Sequence, residues 1–150
     1  MPIEIVRPDI WETLEVMPGI IKSFAKECEH LEPDTETIQE STKKLWNYQI
    51  TILAKKDNVV AGAIQGVLIP HIWNKNILAA QEMLFYVKPD FRGSSVAMRL
   101  IRAYEDLMKE IRPDMSSLSL MAWFSPTSLP KVYNKMGYSL SEQTYLKKNI

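Results

Sequence analysis

Between Leu84 and Ala97 an apolar run (Leu84-Phe85-Tyr86-Val87) meets Lys88-Pro89. Asp90-Phe91 and then a basic residue and three small ones follow (Arg92-Gly93-Ser94-Ser95), before Val96-Ala97 open a segment with helical spacing. A strand that turns into a helix in this way aims the free N–H groups of the helix start, and the positive end of its dipole, at a phosphate. A pyrophosphate suits such a turn, and an ordinary strand-to-helix turn with Ser caps accounts for the same residues equally well. Other chemistries find little. Cys28 and His30 make half a metal site, but His71 is the only other His and no His-Glu-x-x-His or paired-Cys spacing occurs, so no metal is expected. Gly93-Ser94 lacks the trailing Gly of a nucleophile elbow, which argues against a serine hydrolase.

The elements that must position this turn follow from periodicity. Ile3–Val6 alternates as a short strand, and Asp9 with Glu12 forms a capping box for a helix that Pro18-Gly19 is expected to interrupt. A second helical pattern runs from Ile20 to Leu31, and Pro33 to Trp46 reads as helix or loop with an acidic, solvated face. Residues 50–87 read as a three-stranded antiparallel meander, with turns at Lys56-Asp57-Asn58 and Asn74-Lys75-Asn76. Val96, Leu100, Tyr104, Leu107 and Ile111 then carry the clearest helical spacing in the chain, ended by Arg112-Pro113. Leu118–Trp123 is expected as a strand, Leu129–Met136 as a short helix closed by Gly137, and Tyr138–Lys147 as one or two strands. By pattern alone Tyr133, spaced with Leu129 and Met136, is a core residue. Trp11, Trp46, Trp73 and Trp123 are expected in the core or a cleft wall, Trp46 and Trp73 being candidates to line an acceptor pocket.

Composition sets the frame. With 150 residues, 46% hydrophobic and 24% charged, the chain suits one domain with its own core and excludes disordered, collagen-like and coiled-coil classes. No apolar stretch reaches the ~18 residues that span a bilayer. One cysteine allows no internal disulfide, and the Met1-Pro2-Ile3-Glu4 start lacks a secretory pattern, so a cytoplasmic setting without membrane contact is expected. Net charge is zero, which argues against non-specific nucleic-acid binding. The charge is nevertheless uneven, with 8 Lys+Arg against 12 Asp+Glu up to residue 85 and 10 against 6 beyond it, an excess that favours an anionic ligand in the second part.

Two segments, in the right order, resemble the GNAT N-acetyltransferase superfamily. Its acyl-CoA motif reads Arg or Gln, two residues, Gly, one residue, then Gly or Ala, after a Val-x-Pro strand end. Val87-Lys88-Pro89, Arg92 and Ala97 fill that pattern, with Ser95 where the central Gly stands. The run from Arg92 to Ile101 is similar to small phage-encoded members, which would place the chain in a host cytoplasm. Val132-Tyr133-Asn134-Lys135-Met136-Gly137-Tyr138 resembles the late helix of the family, while Pro126 stands where an Asn is common, leaving Ser125, Thr127 or Ser128 to supply that contact.

The resemblance implies one α/β domain over residues 1–150, a central mixed, mostly antiparallel sheet flanked by helices. It also implies acetyl-CoA as acyl donor, bound by Phe85, Val87, Arg92, Gly93, Ser94, Ser95, Val96, Ala97 and Ser128. The partner implied is an amine acceptor, either a small molecule or a protein Lys or terminal amine; a homodimer is compatible with it. Direct attack by the amine needs a base, an oxyanion donor and an acid. Tyr133 takes the acid's place, and a backbone N–H near Phe85–Val87 the donor's. Glu82, the only acidic residue between Asp57 and Asp90, is the candidate base, since a carboxylate partly buried in a mid-sheet cleft has a raised pKa. Strand alternation leaves its face open, with Gln81 as the other inward residue and a water-facing edge Glu as the competing reading. The alternative class is a catalytically inactive member that uses the fold to bind or to build, in a phage for instance.

Overall fold

The computed structural model describes residues 2–120 and 128–149. In chain order it holds β1 (Glu4–Val6), α1 (Ile10–Glu27), α2 (Thr35–Leu45), β2 (Gln49–Lys56), β3 (Val59–His71), β4 (Asn74–Val87), α3 (Val96–Ile111), β5 (Met115–Ser117) and α4 (Leu129–Lys135). The strands form one sheet in the order β1-β2-β3-β4-β5, antiparallel throughout except for the parallel β4–β5 pair. This is the mixed, mostly antiparallel α/β sheet flanked by helices that the sequence leads one to expect.

Alternation along the strands sorts side chains to two faces. Ile50, Ile52, Ala54, Ala61 and Ile64 pack against Val96, Leu100 and Tyr104 of α3, while Leu53, Ala63, Leu84 and Tyr86 pack against Met17 and Ile20 of α1. Burying each large aliphatic side chain contributes about 1.5–3 kcal/mol, so both helices are held mainly by these stripes. Leu129 and Tyr133 dock α4 against Ile101 of α3.

Pro18 does not interrupt α1, which runs unbroken to Glu27. Lacking an N–H, Pro18 deprives the Leu14 carbonyl of its intrahelical donor. The Gln39 side-chain amide on α2 donates to that carbonyl at 3.2 Å, so tertiary contact offsets the defect. The segment from Pro33 to Trp46 is mostly helix, capped by Asp34, which accepts from the Thr37 N–H at 2.8 Å.

The β3–β4 turn lies at Ile72-Trp73, ahead of the expected Asn74–Asn76, because His71 pairs with Asn74 and its Nδ1 accepts the Trp73 N–H. β5 also begins earlier than Leu118. Asp114 sets its start by donating its N–H to the Leu78 carbonyl at 2.8 Å and accepting the Leu78 N–H on its carboxylate at 2.7 Å. Leu118–Leu120 are not strand, and residues 121–123 lie outside the described residues. Residues 138–149 form no strand either, for a strand needs a ladder and the three-residue β5 offers almost none. Two tryptophans expected inside stand in water: Trp11 on α1 is 73% exposed and Trp73 at the hairpin tip 89%, whereas Trp46 is half-buried and Trp123 is not among the described residues. None of the described helices is long and apolar enough to cross a membrane.

Candidate active site

The site is built on β4 and the turn that leaves it. Gln65 pairs with Leu84 but Gly66 with Glu82, so Met83 is an extra residue, a β-bulge. The bulge changes the parity of the strand. Ala80 and Glu82 before it and Phe85 and Val87 after it share the α3 face, which no unbroken alternation allows. Glu82 is thereby the inward residue, 6% exposed, and Gln81 faces out.

Burial pushes the Glu82 carboxyl up to about 8, against a smaller lowering effect of the Ser119 backbone N–H that it faces. Tyr133 reaches the same residue from α4: its hydroxyl donates to the Ser119 carbonyl at 3.0 Å. Burial and the nearby Glu82 charge both raise the Tyr133 hydroxyl above its ordinary value, so it stays protonated. One peptide segment thus holds the two candidate catalytic side chains, donating toward the acid and accepting from the phenol.

The parallel β4–β5 ladder covers only Ala79–Gln81 with Met115–Ser117. Beyond it, among the described residues, no strand pairs with Glu82–Val87 on that side.

The turn from Arg92 to Ala97 follows. Gly93 has φ +81°, a left-handed conformation that suits glycine, and a Cβ there would meet open space. Ser94, Ser95 and Gly93 are exposed, Val96 is buried and Ala97 half-buried. Ser95 occupies the N-cap of α3 without a side-chain cap bond; the hydroxyl of Ser94 lies 3.4 Å from the Val96 N–H instead and donates to the Phe91 carbonyl. The first N–H groups of α3 therefore point outward with little protein satisfaction.

Arg92 is turned away from this turn. Its guanidinium forms a two-point salt bridge with Glu27 at the end of α1, its Nε donates to the Val87 carbonyl at 2.9 Å, and its charge lies 5.6 Å from the centre of the Tyr86 ring. The Tyr86 hydroxyl donates to Glu27 at 2.8 Å. Arg92 holds the Glu27 carboxyl below its ordinary value, while burial and Glu27 push the Tyr86 hydroxyl up to about 12. Of the proposed coenzyme contacts, Phe85 and Val87 lie on β4 beyond its ladder with β5, Gly93 to Ala97 form the turn, and Ser128 is exposed at the start of α4. Ser125 and Thr127 lie outside the described residues. Glu27, Tyr86, Ser119 and Tyr104 were not expected here; Glu27 reads as one acid among many, and Tyr104 as one member of an apolar helical stripe.

An exposed Gly-Ser-Ser turn at the start of α3 thus follows a strand that carries a buried carboxyl. The sequence profile of the Acetyltransferase (GNAT) family matches residues 16–138, and the chain belongs to that family of acetyltransferases, whose acyl donor is acetyl-CoA. Solved structures share its fold. A predicted acetyltransferase with acetyl-CoA from Clostridium acetobutylicum superposes with TM-score 0.74 at 17% identity, covering 99% of this chain and 96% of that one. Ribosomal-protein-alanine N-acetyltransferase from Brucella melitensis gives 0.73 at 17%, with 99% of each chain covered. Glucosamine-6-phosphate N-acetyltransferase from Arabidopsis thaliana gives 0.72 at 11%, with 100% of each covered. Among curated proteins no sequence matches.

Proposed function

We propose that the chain, as one acyltransferase domain over residues 1–150, transfers an acetyl group from acetyl-CoA to an amine by direct attack in a ternary complex. The observation that carries this reading is that buried Glu82 and Tyr133 meet the same residue, Glu82 facing the Ser119 N–H and Tyr133 donating to the Ser119 carbonyl. The coenzyme supplies an acetyl thioester. The N–H groups at Gly93–Ala97 bind its pyrophosphate, with the hydroxyls of Ser94 and Ser95 at hand and Ser128 as a further polar contact. The Phe85–Val87 edge aligns its extended arm, and a backbone N–H there stabilises the carbonyl oxygen as it gains charge. Arg92 acts through its bond to Glu27, fixing the turn against α1.

Glu82 takes the proton from the attacking nitrogen and Tyr133 donates one to the departing sulfur, so the proton lost by the amine is balanced by the one gained by the thiol. Glu82 is then left protonated and Tyr133 ionised. Return of the proton from the weaker base Glu82 to the stronger base Tyr133 is downhill and restores both groups. A cytoplasmic setting suits the buried, free Cys28. The acceptor is a small-molecule amine or a protein Lys or terminal amine.

Calorimetry with acetyl-CoA, followed by mass spectrometry of lysate incubated with enzyme and acetyl-CoA, tests the reading. Saturable binding with new acetyl groups on amines is expected. Binding without transfer would establish the non-catalytic reading, and no binding at millimolar coenzyme would remove both.

A further inference from the structure

Gly66 is the cross-strand partner of Glu82, and side chains directly opposite each other have Cβ atoms about 4.5–5.5 Å apart on one face of the sheet. A Cβ on Gly66 would lie 2.8 Å from the Tyr104 Oη and 2.9 Å from the Gln81 carbonyl oxygen. The Tyr104 hydroxyl thus fills the place that a side chain at position 66 would take, across the strand pair from Glu82, whose charge it feels. Tyr104 is 0% exposed, and among the described residues its hydroxyl has no hydrogen-bond partner. An unpaired buried hydroxyl costs about 1–3 kcal/mol, and Phe would fill the same space without that cost. A group retained at such a cost, opposite a buried carboxyl, has its use in a state other than the resting one.

We infer that Tyr104 is a positioning residue for Glu82, its hydroxyl donating to the carboxylate when Glu82 ionises and its side chain swings toward α3. The inference rests on Glu82 being the base of the proposed reaction. While neutral, the carboxyl needs no further donor than the Ser119 N–H. On ionisation it gains acceptor capacity and charge, and the Glu82 side chain swings about its own χ angles toward the Tyr104 hydroxyl to accept its proton. The titratable groups around the pair are Tyr133 on α4, which feels the Glu82 charge, and beyond it Tyr138, whose hydroxyl donates to Glu105 on α3. Among the described residues no cation is one of the groups that perturb Glu82, so hydroxyl and amide donors are what steadies its charge there.

The test is Tyr104→Phe, read by NMR titration of the Glu82 carboxyl carbon in glutamate-labelled protein, with Glu82→Gln to assign the signal. A bond to an ionised group is worth about 1.5–3 kcal/mol, so the acid dissociation constant of Glu82 should fall about ten- to hundredfold in Tyr104→Phe. The fold should melt no lower than the parent. With acetyl-CoA and a panel of simple amines, kcat should drop and its ascending limb move to higher pH, at unchanged KM for the coenzyme. An unshifted Glu82 titration in a folded, more stable Tyr104→Phe overturns the inference, because the hydroxyl is then packing alone. The carboxyl titration needs no turnover. A shifted titration in a chain that acetylates nothing would therefore sustain the Tyr104–Glu82 bond while refuting the proposed reaction, and an unshifted titration in an active enzyme would do the reverse.

Discussion

At the residue scale, Glu82 is governed by desolvation. A base works ionised, so with its carboxyl at about 8 turnover should climb as pH rises through that value. In Glu82→Gln that limb disappears; the deficit should be greatest near pH 8 and close toward about pH 10, where amines lose their proton unaided. The same group links stability to pH. Because its folded value lies above the unfolded one, its contribution is complete below about 4.5 and is lost as pH rises to about 8, so the melting temperature of the parent should decline across that window. Thermal unfolding of Glu82→Gln should lack this component, a difference on the order of a few kcal/mol at the basic end. An identical slope in both proteins would mean that Glu82 meets water. Tyr133→Phe keeps the ring and removes the donor, and turnover should fall about 10²–10⁴-fold with the fold intact; unchanged turnover would leave Tyr133 a packing residue.

Elements explain which parts of this were legible beforehand. The α3 stripe repeats with a clean period and stands where the pattern puts it, and the β2–β4 meander exists as expected apart from its second turn and its bulges. Pro18 misleads because its defect is offset by Gln39 on another helix, and β5 because Asp114 fixes the strand start through Leu78 on another strand. The face of Glu82 was undecidable by alternation for a specific reason: the bulge at Met83 shifts parity, and nothing in the local run announces it. The turn before α3 was readable, yet the work of its Arg92 was not, since Glu27 and Tyr86 come from separate elements. At this turn Ser95→Gly should leave coenzyme affinity within a few-fold. Ser95→Val places a branched apolar group beside the phosphates and should weaken it by roughly 1–3 kcal/mol, with little change in melting temperature because the site is open. Calorimetric titration of both variants decides, and equal affinity of Ser95→Val and the parent would show that no phosphate sits there.

For the whole molecule, α3, the Ser119 segment and the docked α4 surround a carboxyl that no single element buries. The strand order of the sheet is its order along the chain, so the β2–β3–β4 meander closes from short-range contacts. The Ser119 peptide and Tyr133 come from the last third and arrive after it. Until they do, Glu82 sits on a half-built sheet with an ordinary affinity for protons. Late assembly therefore has a chemical signature: between about pH 4.5 and 8 the chain should draw a proton from solution as α4 settles. Stopped-flow refolding in weak buffer with an indicator dye would record that uptake as a slow phase, trailing the secondary-structure signal, and Glu82→Gln would refold without it.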